Sequence, residues 1–337
     1  MHLCSTLCKW RRNRMLSEPN FSARKIVMIH TNQGQKISFS NDNILVKDIE
    51  GKTVLQYTCH RIFIIYIVGG FSVTTGLIER GRKFGISFVF LTGGYKFYES
   101  IPYKSRGNTI LVRRQYETNI GFEIGQNIVK NKILTQKKAL QSLRRYKEDI
   151  ELMENCLVKL DEPISDLPTL MGVEGTAAKV YFKRMFDMVD WKGRQPRVKR
   201  DIINLLLDIG YTVLFNYIDA LVSMYGFDTY KGNLHQEFYN RKSLICDLVE
   251  PFRVIIDLKI RKMYNLKQIS EDDFICQKGR YMVNYKSNIN YGVEFAKEIN
   301  RHSICIFRYI KSYYRWFMTS EDVSKMPIVE VIKNDTD

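Results

Sequence analysis

Four side chains in the second half of the sequence have the types and spacing for divalent-metal chemistry. Glu174 lies in MGVEGTAAKVYF (171–182), a single acid among Gly172, Gly175, Ala177 and Ala178. His235 lies in GNLHQ (232–236), and Asp247 and Glu250 lie in SLICDLVEPFR (243–253). Carboxylates with one imidazole suit Mn2+ or Mg2+, with Mn2+ better matched to the nitrogen. Such an ion polarises a phosphodiester and activates a water or a sugar hydroxyl. Each residue also has a plainer reading. Gly172, Gly175 and Ala178 recur every third residue, so they equally suit tight helix packing with Glu174 in solvent. A lone histidine is more often structural than a ligand. Asp247 and Glu250, three apart in an apolar run, also suit a salt bridge, with Arg253 as the partner.

The spacing sets a demand on the fold. Glu250 follows His235 by fifteen residues, about 22 Å along an unbroken helix. The set can meet only if the chain turns between them, near residues 240–243, with Ser243 available to cap a new helix.

The elements that must position these residues read as two textures. From Lys25 to Tyr57 the segments IVMIHT, KISFS, ILVKDI and TVLQY are short, β-branched and separated by turn residues. RIFIIYIV (61–68) and ISFVFL (86–91) are continuous apolar runs that predict buried strands. Between them, residues 73–83 predict a helix opened by Thr74-Thr75 and closed by Gly85, and TILVRR (109–114) predicts a last strand. Near residue 115 the pattern turns helical, and almost every segment to about Met318 follows it. Ile124, Ile128, Ile133, Leu140 and Leu143 form one stripe, and a long helix is expected over 201–224. The expected class is therefore α+β: a basic arm (1–25), a β-rich domain (26–114), a larger helical domain (115–325) and a tail (326–337).

Lys and Arg outnumber Asp and Glu by 52 to 36, which favours a polyanionic partner, nucleic acid first. The excess is clustered. WKGRQPRVKR (191–200) holds no acid and follows soon after Glu174. Charge and position make Lys183, Arg184, Arg194, Arg197, Lys199, Arg200, Arg241 and Arg253 the candidate phosphate contacts. The Gly-Gly pairs at 69–70 and 93–94 lack the Lys-Ser/Thr of a phosphate loop. Seven scattered cysteines without a CxxC point to free thiols in a reducing cytoplasm, and Cys4 and Cys8 are half of a zinc pattern. The apolar run from Ile62 through Phe71 is too short to span a bilayer, so no membrane association is expected.

LMGVEGTAAKVYF (170–182), RDIINLLLDIGYTVLF (200–215) and GNLHQ (232–236) through SLICDLVEPFR (243–253), with the weaker IVKNKILTQ (128–136), occur in an order that resembles one known family. It is the CRISPR-associated adaptation integrase, the metal-dependent DNA endonuclease usually called Cas-one. The resemblance spans most of residues 26–310. It implies that Glu174, His235 and Glu250 are metal ligands, with Asp247 as a supporting acid. It also implies a homodimer, pairs of which flank a small partner, Cas-two. The implied reaction is attack by the 3′-hydroxyl of a short prespacer duplex on a phosphodiester at the edge of a CRISPR repeat. Ile202 and Thr229 stand where a proline is common in the family, and neither is a ligand position. Two other functions use the same residues differently: a stand-alone branched-DNA nuclease in repair, and a non-catalytic DNA-binding protein whose acids only pair with arginines.

Overall fold

The structure is a computed structural model and describes residues 16–31, 34–104, 107–284, 290–320 and 322–329. A short helix α1 (Glu18–Ser22) opens it, with Ser17 capping Asn20 N–H. This part of the expected basic arm is not loose. Phe21 is buried, stacked on Phe307 at 4.2 Å, and Glu18 pairs with Arg308. Residues 1–15, with Cys4 and Cys8, lie outside the described residues.

The N-terminal part follows the β-branched segments. Strands β1 (Lys25–His30), β2 (Lys36–Ser40), β3 (Asn43–Lys47), β4 (Thr53–Thr58) and β5 (Ile62–Val68) lead to helix α2 (Thr75–Phe84), then β6 (Ser87–Leu91) and β7 (Phe97–Ile101). β1, β5 and β6 run parallel and β7 closes the sheet antiparallel, in the order β1-β5-β6-β7; β2, β3 and β4 form a separate antiparallel sheet. β5 is buried at every position because both its faces are covered. Ile65 and Ile67 face a core shared with α2 and with Ile44 and Val46 of β3, whereas Phe63, Ile64 and Tyr66 face the helices. The boundaries of α2 match expectation: Thr74 caps Leu77 N–H, and Gly85 ends the helix in the left-handed region.

The predicted strand at 109–114 is instead the start of helix α3 (Thr109–Glu117). Its β-branched opening reads as strand in a six-residue window. Over nine residues the buried positions are Leu111 and Gln115, one helical turn apart. Helices α4 (Gly121–Ser142), α5 (Lys147–Lys159) and α6 (Leu167–Met185) follow, and then α7 (Ile202–Tyr225). By length and composition α7 could cross a membrane, but 83% of its apolar window is buried inside the fold, so it is the core helix. Asp201 caps its first turn through Asn204 N–H and Gly226 ends it at φ 87°.

Beyond α7 come α8 (Ser243–Val249), a 3-10 turn (Glu250–Phe252), α9 (Arg253–Asn265), a hairpin β8 (Phe274–Gln277) and β9 (Arg280–Val283), α10 (Tyr291–Arg301) and α11 (Ser303–Thr319). The hairpin interrupts a region expected to be almost entirely helical. The β and helical parts share one buried cluster. Tyr66 of β5 donates to the Val213 carbonyl of α7 at 2.7 Å, and Asn300 of α10 accepts from Ile26 N–H of β1. Cys59, Cys156, Cys246 and Cys276 are free thiols.

Candidate active site

Three segments meet where α4 packs against both α6 and the Glu250–Phe252 turn. α6 begins at its Asp166 cap, with Pro168 in the first turn, and carries Glu174 toward α4. Gly172 and Gly175 do not pack against another helix. A Cβ built at either meets nothing within 4 Å, which removes the plain packing reading of the small-residue stripe. Gly175 and Ala178 line a cleft of about 670 Å³, together with Glu174, Glu250, Lys132, Lys179, Lys183, Trp191, Arg194 and Arg253.

Glu174 and Glu250 converge, and the residue between them is Lys132 of α4. Its Nζ lies 2.5 Å from Glu174 Oε1 and 2.7 Å from Glu250 Oε2. Arg253 Nη2 meets the other Glu250 oxygen at 2.9 Å. The Glu250 side chain is 6% exposed and that of Glu174 16%. Burial alone would push the Glu250 carboxyl up; Arg253 and Lys132 outweigh it and hold it down at about 2. Burial also presses on the Lys132 ammonium, and the two glutamates more than reverse this, so it is raised. Glu250 Oε2 and Arg253 Nε are both buried without an aligned hydrogen bond. Glu250 Oε2 thus has an ion-pair neighbour and spare acceptor capacity.

His235 arrives on the loop between α7 and α8. Gln115 of α3 fixes the start of this loop by exchanging two hydrogen bonds with the backbone of residue 228. Gly232 is required by space: a Cβ there would lie 2.7 Å from Ser243 Cβ and 2.9 Å from His235 O. The chain turns at Asn240 in the left-handed region, as the ligand spacing demands. Ser243 does not cap the new helix. Its hydroxyl donates to Gln236 O, and Lys242 holds the cap position.

Asp247 acts on the loop rather than beside Glu250. Fully buried, it accepts Asn233 N–H (2.6 Å) and Leu234 N–H (3.0 Å) at Oδ2, and His235 N–H (2.9 Å) at Oδ1. Oδ1 also lies 2.7 Å from His235 Nδ1. A carboxylate only accepts, so Nδ1 carries a proton, and in the neutral ring it is Nε2 that has the lone pair. This is the arrangement that orients an imidazole for a metal. When protonated, the His235 ring is near enough to Glu250 to help lower that carboxyl.

The eight candidate phosphate contacts divide. Arg184 is engaged by Asp149, Arg194 by Asp208 and Asn204, and Arg253 by Glu250. Lys199 is half-buried, while Lys183, Arg197, Arg200 and Arg241 are exposed. Lys132, Lys179 and Lys192 line the cleft and were not among the residues picked from the sequence. Lys132 could have been found: it lies inside the fourth resembling block, 128–136. At the inner wall of the cleft, Tyr181 and Tyr211 both donate to the buried Asp257, at 2.8 and 2.5 Å. Burial pushes the Asp257 carboxyl up to about 6 despite these bonds.

A family model described as CRISPR associated protein Cas1 matches residues 28–297. The chain belongs to the Cas1 family. Among Cas1 relatives, CRISPR-associated endonuclease Cas1 1 of Thermodesulfovibrio yellowstonii is 28% identical over 226 residues, 63% of this chain and 71% of that protein. The fold is similar to a casposase bound to its integration product, with a TM-score of 0.76 at 22% identity over 93% of this chain and 96% of that one. It is also similar to a Cas6-RT-Cas1–Cas2 complex, with a TM-score of 0.73 at 18% identity over 92% of this chain and 36% of the longer one. Both likenesses, together with family membership, agree with the β-rich first part and helical remainder of a Cas1 fold.

Among the described residues no three His, Cys, Asp or Glu side chains converge closely enough to hold an ion. The donor set still fits one. One buried and one half-buried carboxylate from separate elements already reach a single cation, one of their oxygens has spare capacity, and the neighbouring imidazole offers Nε2.

Proposed function

We propose that this chain is a divalent-metal-dependent DNA endonuclease and integrase that inserts short foreign DNA into a CRISPR repeat array as part of prokaryotic antiviral immunity. The observation that carries this reading is the convergence of Glu174 and Glu250 on one cation, beside an imidazole whose second nitrogen Asp247 holds, at the end of a basic cleft. The relatives' names as endonucleases and the likeness to a casposase with its integration product support it. Double-stranded DNA, as prespacer and as repeat, is the proposed substrate. A second copy of this chain and a Cas-two subunit are the proposed partners, in line with the similar complex that contains Cas2.

Glu174, His235 and Glu250 would hold Mn2+ or Mg2+. When bound, the ion supplies Lewis-acid polarisation of the phosphodiester. The protein does the rest. Asp247 fixes the imidazole tautomer, Arg253 neutralises the outer Glu250 oxygen, and the open face at Gly172 and Gly175 lets a strand approach α6 without a side chain in its way. The cations lining the cleft lower the cost of bringing phosphates beside two carboxylates.

The test is a strand-joining assay with a labelled duplex and a repeat-bearing plasmid in Mn2+. Glu174→Ala, His235→Ala and Glu250→Ala should each abolish joining while salt-sensitive DNA binding persists. Joining at wild-type levels by these variants refutes the site, and cleavage without joining by the wild type supports a stand-alone nuclease instead.

A further inference from the structure

We propose that Lys132 is an internal stand-in for the metal: its ammonium occupies the ion's position between Glu174 and Glu250 and must swing into the cleft before the ion can load. This rests on the metal reading above and deepens it.

The geometry carries the argument. Nζ touches one oxygen of each glutamate, at 2.5 and 2.7 Å, and its side chain is 15% exposed. Two carboxylates this buried repel each other unless a cation lies between them. A hard divalent ion bonds such oxygens at about 2.0–2.2 Å. An ion at that distance from both oxygens and an ammonium between them cannot share the space. Lysine has a flexible four-carbon stem, and Lys132 already lines the cleft, so the displaced group has somewhere to go.

Charge shows what this would accomplish. Glu174, Glu250, Lys132 and Arg253 sum to zero with the ammonium in place. After exchange the same group carries two positive charges, one of them on a lysine facing the cleft where DNA phosphates would run. DNA therefore favours the exchanged state. Metal and DNA should each tighten the binding of the other, as linkage requires. Lys132 holds the site assembled when no metal is present and becomes a phosphate contact when metal arrives.

The experiment is Mn2+ titration of the full chain by calorimetry, with and without a duplex, for wild type, Lys132→Met and Glu250→Gln. Lys132→Met should bind Mn2+ about tenfold tighter or more without DNA, equivalent to about 1.4 kcal/mol. The tightening caused by DNA should shrink. If wild type binds Mn2+ through Glu250 and Lys132→Met binds no more tightly, the stand-in is refuted and the metal reading survives. If neither wild type nor Lys132→Met shows binding that depends on Glu250, both fall. A second measurement does not rely on the variant folding. Reductive methylation of wild type, read by mass spectrometry, should label Lys132 at least threefold faster once Mn2+ is bound, with Lys137, paired to Glu154, as the internal control. Unchanged labelling of Lys132 at saturating Mn2+ overturns the proposal.

Discussion

Replacing Asp247 by Asn separates the orientation of His235 from its presence. The carboxylate takes four contacts, three from loop N–H groups and one from Nδ1, at a fully buried position. An amide keeps the size but exchanges one acceptor for a donor. With its NH2 at the Oδ2 position it opposes two backbone donors, Asn233 and Leu234. With its NH2 at the Oδ1 position it opposes one, His235 N–H, and reaches Nδ1, which must then accept. The second orientation costs less, and it moves the imidazole proton to Nε2, where the lone pair is needed. Hydrogen bonds to a charged group contribute about 1.5–3 kcal/mol each, and one or two are lost here, so Asp247→Asn should destabilise the protein by about 1.5–6 kcal/mol. Joining should fall by a factor on the order of 10²–10⁴, as expected when an orienting carboxylate fixes the wrong tautomer. The assays are urea denaturation, strand joining in Mn2+, and 15N NMR of the histidine ring. An Asp247→Asn protein that keeps the proton on Nδ1 and joins DNA within threefold of wild type would show that Asp247 does not set the imidazole.

Two further perturbations probe the open face of the cleft and its inner wall. Gly175→Leu places a side chain where nothing lies within 4 Å; it should leave thermal stability within about 0.5 kcal/mol yet cut integration tenfold or more, and full activity would mean that no strand passes over α6. Asp257 titrates near 6 when folded, against an ordinary 3.8, so the folded state holds this proton more tightly than the unfolded chain does. Its contribution is present below about pH 4 and is lost as pH rises through 6, up to about 3 kcal/mol. Asp257→Asn should remove that loss, so the stability difference between wild type and variant, measured by urea denaturation, should shift in favour of the variant between pH 5 and pH 8; a pH-independent difference refutes it.

Much of the fold is legible because burial imposes a period. β5 has no polar residue between Ile62 and Val68 except the Tyr66 hydroxyl, and that hydroxyl bonds the helical part across the interface. α2 and α7 announce their own ends through Thr74, Gly85, Asp201 and Gly226. α3 is illegible for a stated reason: Thr109, Ile110 and Val112 favour extended backbone locally, and only packing of Leu111 and Gln115 against the body decides for helix. β8 and β9 are four residues each and largely exposed, too short for periodicity to register.

At the site, residue types were enough to pick out Glu174, His235, Asp247 and Glu250, but not their division of labour. Spacing placed Asp247 and Glu250 on one helical face. In the fold the helix gives way to a tighter turn at Glu250, so Asp247 turns to the loop and Glu250 to α4. Lys132 was missed because a lysine on a basic helix looks like solvated charge; only the approach of α4 to two acids distant in sequence makes it the centre of the cluster. Arg184, Arg194 and Arg253 belong to the basic excess in composition, yet each is held by an acid inside the structure. Among the cations that face water are Lys179 and Lys183 at the cleft, with Arg197, Arg200 and Arg241 outside it. Net charge favours a polyanionic partner; which residues would meet it depends on which cations the fold has not already paired.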